Sequence, residues 1–319
     1  MKRIELHTQK YLREHGLARM LAEFKLKCTV YDKKVLIKYS QIESPMEEEI
    51  VRECRGLILE RDTWEVMNYS FYKFFNLQEG HAANIDWDTA HILEKLDGSL
   101  IQLYWDWHKE KWMVATSGMA EAEGQVNNML DTTFNELFWN TLEKMGIDFH
   151  DRTFAKGYSY SFELTTPYNV VVKPHATSSV TLLAMRDLKS LEELPYNQMR
   201  SIAKGAMIPF VKRYDLNQAA NSIMATFKDM PWDEEGYVVV DANFNRVKLK
   251  NPAYVAVHHT KGKLGEHHIM EVIKTNEVDE VVAVFTERKE EIYELEPEII
   301  SKGCVCVGAQ LYVYLLTGE

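Results

Sequence analysis

Two apolar runs meet at Glu94-Lys95-Leu96-Asp97-Gly98-Ser99-Leu100, and no other stretch constrains the fold as sharply. Asp-Gly turns a chain abruptly, because glycine tolerates backbone angles that other residues do not and aspartate bonds to nearby backbone. Leu100 to Trp107 alternates as a half-buried strand and Lys111 to Thr116 reads as its antiparallel partner. The turn therefore sits inside sheet structure, with Lys95 immediately before it. A lysine amine attacks only when neutral. At its ordinary pKa of about 10.4, roughly one in a thousand is neutral near pH ~7.4, a deficit of about 4 kcal/mol. Desolvation and neighbouring cations reduce that deficit, so a nucleophilic Lys95 calls for other cations nearby. Alone, Lys-x-Asp-Gly arises by chance about one time in fifteen in a chain this long, and it also reads as a plain hairpin turn.

Elsewhere the pattern mixes both element types. Residues 1 to 26 read as helix, followed by strands at Cys28-Tyr31 and Val35-Tyr39 and an acidic connector from Glu43 to Glu49. Residues 125 to 145 form the clearest amphipathic helix, with Val126, Met129, Leu130, Phe134, Leu137, Phe138, Leu142 and Met145 on one face. Strands are expected at Tyr158-Leu164, Asn169-Lys173, Val180-Arg186, Ile208-Val211, Tyr237-Val240 and Arg246-Lys250, and helices at Tyr196-Ala206 and Leu216-Phe227. Alternation over Arg246-Lys250 puts Lys248 and Lys250 on one face of a strand. From Tyr254 onward only helix is expected.

With 319 residues there is room for one large and one small domain. No run of 18 apolar residues occurs, so no membrane span is expected. Glu5 falls where a signal peptide needs its apolar stretch, so a cytoplasmic location is expected. Cys28, Cys54, Cys304 and Cys306 are too few and scattered for a disulfide framework and read as reduced thiols. The net charge of −11 argues against a uniformly nucleic-acid-coating surface. It leaves room for a local basic groove, since Arg246, Lys248, Lys250, Lys261 and Lys263 cluster with one acid, Glu266, before the acidic stretch Glu277 to Glu298. The pairs His258-His259 and His267-His268 lack metal-ligand spacing and read better as phosphate-facing surface.

Arg55-Gly56, Lys73-Phe74-Phe75-Asn76, Lys95-x-Asp97-Gly98-Ser99, Glu163, Glu235-Gly236-Tyr237 and Lys248-x-Lys250 follow one another at element ends, where the ligand residues of a sheet-built cleft collect. This order and spacing resemble the covalent nucleotidyltransferases, and within them the phage RNA ligase 1 family, over residues 30 to 260. The resemblance implies an α+β fold. A nucleotidyltransferase (ATP-grasp-like ligase) domain of antiparallel sheets flanked by helices would occupy 1–254, with a small all-α domain at 255–319. It implies an ATP-dependent RNA ligase that joins 5′-phosphate and 3′-hydroxyl ends in RNA repair, acting as a monomer with ATP and magnesium or manganese. Lys95 matches the adenylated lysine, with Asp97 and Gly98 completing its motif and Ser99 the RNA-ligase choice. Arg55 and Lys73 match upstream phosphate or pocket residues, Tyr39 an ATP-site tyrosine, and Glu163 the ribose contact. Glu235 matches a metal carboxylate, Lys248 and Lys250 the phosphate lysines, Tyr254 a residue needed for ligation, and Asp279 a metal-linked acid of the tail. Thr116-Ser117-Gly118 departs from the family, whose members carry a basic residue before that glycine. The tail shows no strand pattern for the barrel of DNA ligases and capping enzymes. A GTP-using capping guanylyltransferase and a non-catalytic nucleotide- or RNA-binding module are the alternatives.

Overall fold

The computed structural model describes residues 4–126, 129–147, 154–215 and 220–260, and within them mainly antiparallel sheets, with one parallel pair, flanked by short helices. The first sheet has the order β1 (Lys27–Val30), β2 (Lys34–Lys38), β3 (Arg55–Glu60) and β4 (Val66–Asn68). Val35, Ile37, Leu57 and Leu59 pack on one side against Leu12 of α1 (His7–His15), Met20 of α2 (Leu17–Glu23) and Val51 of α3 (Glu49–Glu53). The single N-terminal helix expected from periodicity is two helices, because Gly16 takes φ +79° and ends α1.

The chain then passes through β5 (Phe75–Asn76) and β6 (His91–Glu94) into β7 (Ser99–Asp106) and β8 (Lys111–Thr116). Strands β6 and β7 do not pair: Lys95–Gly98 carries the chain from one sheet to another, so the Asp-Gly turn is not a hairpin. The second sheet has the order β12-β11-β7-β8, with β11 spanning Tyr158–Thr165 and β12 Ser179–Asp187. Period-two alternation divides its residues between two cores. Ile101, Leu103, Tyr160, Phe162 and Leu182 pack with Leu137, Phe138 and Leu142 of α4 (Phe134–Lys144) and with Met199 and Ala203 of α5 (Tyr196–Gly205). Tyr104, Met113 and Ala115 face the other way, onto Leu36 and Ile58 of the first sheet.

The amphipathic stretch 125–145 is helical only from Phe134. Gln125–Val126 (β9) and Met129–Thr133 (β10) are extended and paired, and Thr133 starts the helix in a reciprocal capping box with Glu136. Asn169–Lys173 forms a loop rather than a strand. Ile208–Val211 makes one bridge, at Phe210, beside Pro209, which has no N–H for a ladder.

The third sheet has the order β13-β6-β14-β15-β5, with β13 at Arg213–Tyr214, β14 at Gly236–Val240 and β15 at Arg246–Lys250. Ile92, Tyr237, Val239, Val247 and Leu249 are buried with Ile223 of α6 (Ala220–Ala225) and Phe227 of the following turn of 3₁₀ helix. The expected helix 216–227 is described from Ala220 only. A last helix, α7 (Pro252–Thr260), runs across the expected domain boundary at 254. Asp279 and nearly all of the expected tail domain lie outside the described residues, as do Cys304, Cys306, His267 and His268. The described Cys28 and Cys54 are free thiols, and no described helix is long and apolar enough to cross a membrane.

A buried ionic triad joins the second and third sheets. Glu193 accepts Arg186 Nη2 at 2.6 Å and both Arg246 Nη groups, at 2.8 and 2.5 Å. Arg186 also donates to the carbonyls of Ser70 and Leu191, so its charge is met on several sides. Removing one member leaves buried charge without its partner, a loss of about 3–5 kcal/mol. Glu193→Ala is expected to lower stability by about that amount, read as a fall in the urea midpoint at unchanged slope.

Candidate active site

Between the inner faces of the second and third sheets lies a cleft, and strand alternation decides which side chains enter it. On β15, Val247 and Leu249 go to the core, leaving Arg246, Lys248 and Lys250 to line the cleft. Val238 and Leu93 join them from the same sheet, and Glu163 and Leu183 line the opposite wall. Phe71, Phe74, Arg55 and Gly98 complete the surroundings of Lys95. Seven of the expected residues, Arg55, Lys95, Gly98, Glu163, Glu235, Lys248 and Lys250, thus line one cavity.

Lys95 is held by its backbone and its amine. Its N–H donates to the Gly236 carbonyl at 3.0 Å, and its Nζ forms an ion pair with Glu235 Oε1 at 2.5 Å. Gly98 is required by close approach: a Cβ there would lie 2.6 Å from the Leu164 carbonyl oxygen and 3.2 Å from Glu163 Cγ. Asp97 is not part of the lining. Its buried Oδ2 accepts the backbone N–H groups of Val172, at 2.9 Å, and Lys173, at 2.5 Å. His175 Nε2 is 2.7 Å from the Asp97 carbonyl oxygen, and Asn169 donates to Ser99 Oγ at 2.6 Å. The 166–178 loop therefore straps the turn after Lys95. Tyr254 is also buried away from the cavity, packed with Val172 and Val255.

Cations crowd the cleft through aromatic faces. The Arg55 guanidinium lies 5.2 Å from the Phe74 ring centre and Lys248 Nζ lies 5.6 Å from it, so both charges contact the ring quadrupole. Lys73 Nζ is 5.1 Å from the rings of both Tyr39 and Phe75, outside the lining but near enough to act on Lys248. Buried Arg55 Nη1 has no hydrogen-bond partner, which leaves a donor available beside the cavity.

Cation crowding in the cleft bears on Lys248. Burial, then Lys73, Lys250, Arg55 and Lys95, lower the Lys248 pKa to about 7. Glu163 shifts the other way, pushed up to about 8 chiefly by burial; Lys95 and Arg55 oppose the rise, and Glu235 and Asp97 add to it. Sequence reasoning counted Arg246 only among the cations of a basic groove and not among the site residues, and it missed Phe71 and the apolar lining Leu93, Leu183 and Val211. Arg246 was recoverable, since it stands two residues before Lys248 in the same alternating strand. The apolar residues carry no signal that distinguishes them from core.

The fold is that of solved ATP-dependent ligases, the nucleotidyltransferase fold. An archaeal ATP-dependent RNA ligase superposes with a TM-score of 0.57 over 93% of this chain and 80% of its own, at 12% identity. A putative ATP-dependent DNA ligase from Aquifex aeolicus gives 0.51 over 94% and 79%, at 10% identity. The family model described as RNA ligase matches residues 53–254, and the chain belongs to this phage RNA ligase 1 family. A putative bifunctional polynucleotide kinase/RNA ligase of Autographa californica nuclear polyhedrosis virus is 27% identical over 89% of this chain and 42% of its own length. An RNA ligase of Rhodothermus phage RM378 is 26% identical over 72% of this chain. The chain spans 65% of that phage protein.

With its pKa raised, Glu163 binds more protons folded than unfolded between about pH 4.5 and 8. Its contribution to stability therefore falls as pH rises through that window. Glu163→Gln, which stays neutral, is expected to match the parent Tm near pH 5 and exceed it increasingly up to pH 8; thermal unfolding across that range checks the trend.

Proposed function

We propose that the protein is an ATP-dependent RNA ligase that works through a Lys95–AMP intermediate. The observation that carries this reading is one lysine amine beside a carboxylate, in a cavity also lined by Arg55, Arg246, Lys248, Lys250, Glu94 and Glu163. Cations and backbone fixed before reaction stabilise charge that develops on phosphorus, because no solvent has to reorganise. In the first step the Lys95 Nζ–phosphorus bond forms at the α-phosphate of ATP and the bond to pyrophosphate breaks. Attack requires the amine to leave its ion pair with Glu235 and to give up its proton. AMP then passes to an RNA 5′-phosphate, and a 3′-hydroxyl attacks that end and displaces AMP. Asp97 acts as a positioning residue, holding the turn through the 172–173 backbone, and Tyr254 supports the same loop from behind.

Glu235 suits a hard divalent cation such as magnesium or manganese, but no group of three or more possible ligands occurs among the described residues. That donor set fits an ion held mainly by phosphates and water, the usual habit of magnesium. When bound, such an ion neutralises charge on the phosphates and the departing pyrophosphate.

Incubation with α-labelled ATP and a divalent metal is expected to label the chain. Lys95→Ala should abolish the label, and Glu235→Ala and Lys250→Ala should reduce it at least 100-fold with unchanged circular dichroism. GTP run in parallel should not label. Label persisting in Lys95→Ala would reject the nucleophile.

A further inference from the structure

We propose that Lys38, with Lys27 beside it, forms a phosphate-binding track that leads the RNA strand out of the cleft past the Ser117–Gly118 turn. The inference rests on the RNA-ligase reading above and extends it to the second substrate.

Lys34 and Lys38 stand on the same face of β2, at opposite ends of the contact between the first and second sheets. Lys34 is buried and neutralised, with Asp106 at 2.7 Å and Glu121 at 3.0 Å. Lys38 has no such partner: among the described residues no carboxylate lies within ion-pair distance of it. Its strand neighbours carry its own charge. Lys38 pairs in register with Lys27 of β1 on one side and with Arg55 of β3 on the other. Like charges directly opposite across strands are destabilising, so this row of three does not serve the stability of the sheet. A bound anion would offset the repulsion.

The amine of Lys38, a partly exposed residue, lies over the Ser117–Gly118 turn: a Cβ on Gly118 would be 3.2 Å from its Nζ. A Cβ on Gly56 would lie 2.8 Å from Ser117 Cα, which shows how closely the turn is pressed against the start of β3. Ser117 brings no charge of its own, and Lys38 supplies one at the same place from a different strand.

Position decides which phosphate is involved. Arg55 lines the cavity, and Lys38 stands one strand farther out and does not. The cavity already holds Lys95, Lys248 and Lys250 for the phosphates of a nucleotide. A ligand that reaches Lys38 and then Lys27 must extend beyond the cavity, as a polynucleotide does. The same cations could instead meet the outer phosphates of ATP, and the two partial reactions separate these sources.

The test uses the full chain and a 5′-phosphorylated, 3′-blocked single-stranded RNA. Lys38→Ala is expected to weaken RNA binding five- to tenfold in ~0.1 M salt and to reduce the slope of log K against log salt by about 0.7, the value for one phosphate contact on a single strand. Lys27→Ala/Lys38→Ala should reduce the slope by about 1.4, and Lys38→Arg should restore most of the affinity. Transfer of AMP from labelled protein to RNA should slow with the loss of binding, while the ATP dependence of Lys95 labelling stays within twofold. Lys204→Ala, on α5, controls for general charge. RNA binding and slope like the parent's would overturn the proposal. So would a defect confined to labelling by ATP, which would assign Lys38 to the nucleotide. If the parent chain takes no label, the ligase reading fails, and the RNA-binding slopes still decide whether the track exists.

Discussion

The position of Lys95 depends on a carboxylate that never faces the cavity. Asp97 takes two backbone N–H groups from Val172 and Lys173, and with them it fixes the segment where the chain leaves the third sheet for the second. Charge-assisted bonds of this kind are about twice as strong as neutral ones, and a buried carboxylate without them would be costly. His175 and Asn169 add contacts on either side of the same turn, and Val172 is buried with Tyr254. A side chain on α7 is thereby coupled to the lysine through packing and two hydrogen bonds. Asp97 and Tyr254 therefore bear on Lys95 as two ends of one support.

Burial of charge is the second constraint, and it displaces Glu163 and Lys248 in opposite senses. Glu163 moves toward its neutral acid and Lys248 toward its neutral amine, because water that would stabilise either ion is excluded. Paired perturbations of opposite sense in one cavity mark a place prepared for an incoming charge more than one arranged for stability. An anionic ligand would favour the charged form of Lys248 and would meet the donor that Arg55 holds without a partner. The ionic triad behaves differently, since Glu193 satisfies Arg186 and Arg246 within the protein.

Legibility in the sequence followed the physical origin of each feature. Strand alternation at Arg246–Lys250 was readable because a two-residue period needs no tertiary information, and it correctly set Lys248 and Lys250 on one face. The helix from Phe134 was readable for the same reason, but its start was not: Val126, Met129 and Leu130 continue an apolar stripe that only the Thr133 capping box interrupts. The two-residue strand β5 was too brief to show any period. The cavity residues emerged from their order along the chain. What that order concealed was orientation, since Asp97 and Tyr254 occupy conspicuous positions while turning away from the cavity. The Lys95–Glu235 contact joins residues 140 apart and depends on β6 lying beside β14. No local pattern encodes such a pairing.

The row on β15 also bears on how a nucleotide would lie. Arg246, Lys248 and Lys250 project from one face at a spacing of two residues, but their charges are not equivalent. Arg246 is compensated by Glu193 and packs over the Phe71 ring, with Leu183 and Val211 also in the lining. Lys248 instead has the cations Lys73, Lys250, Arg55 and Lys95 for neighbours, and their charges act on it. A nucleotide has an apolar, planar end and an anionic end, and the cleft offers surfaces of both kinds: Leu183, Val211 and Phe71 in its apolar lining, and the cations around Lys248. The internal pairing of Arg246 thus does more than join two sheets: it sets that cation apart from Lys248, two residues on in the same row.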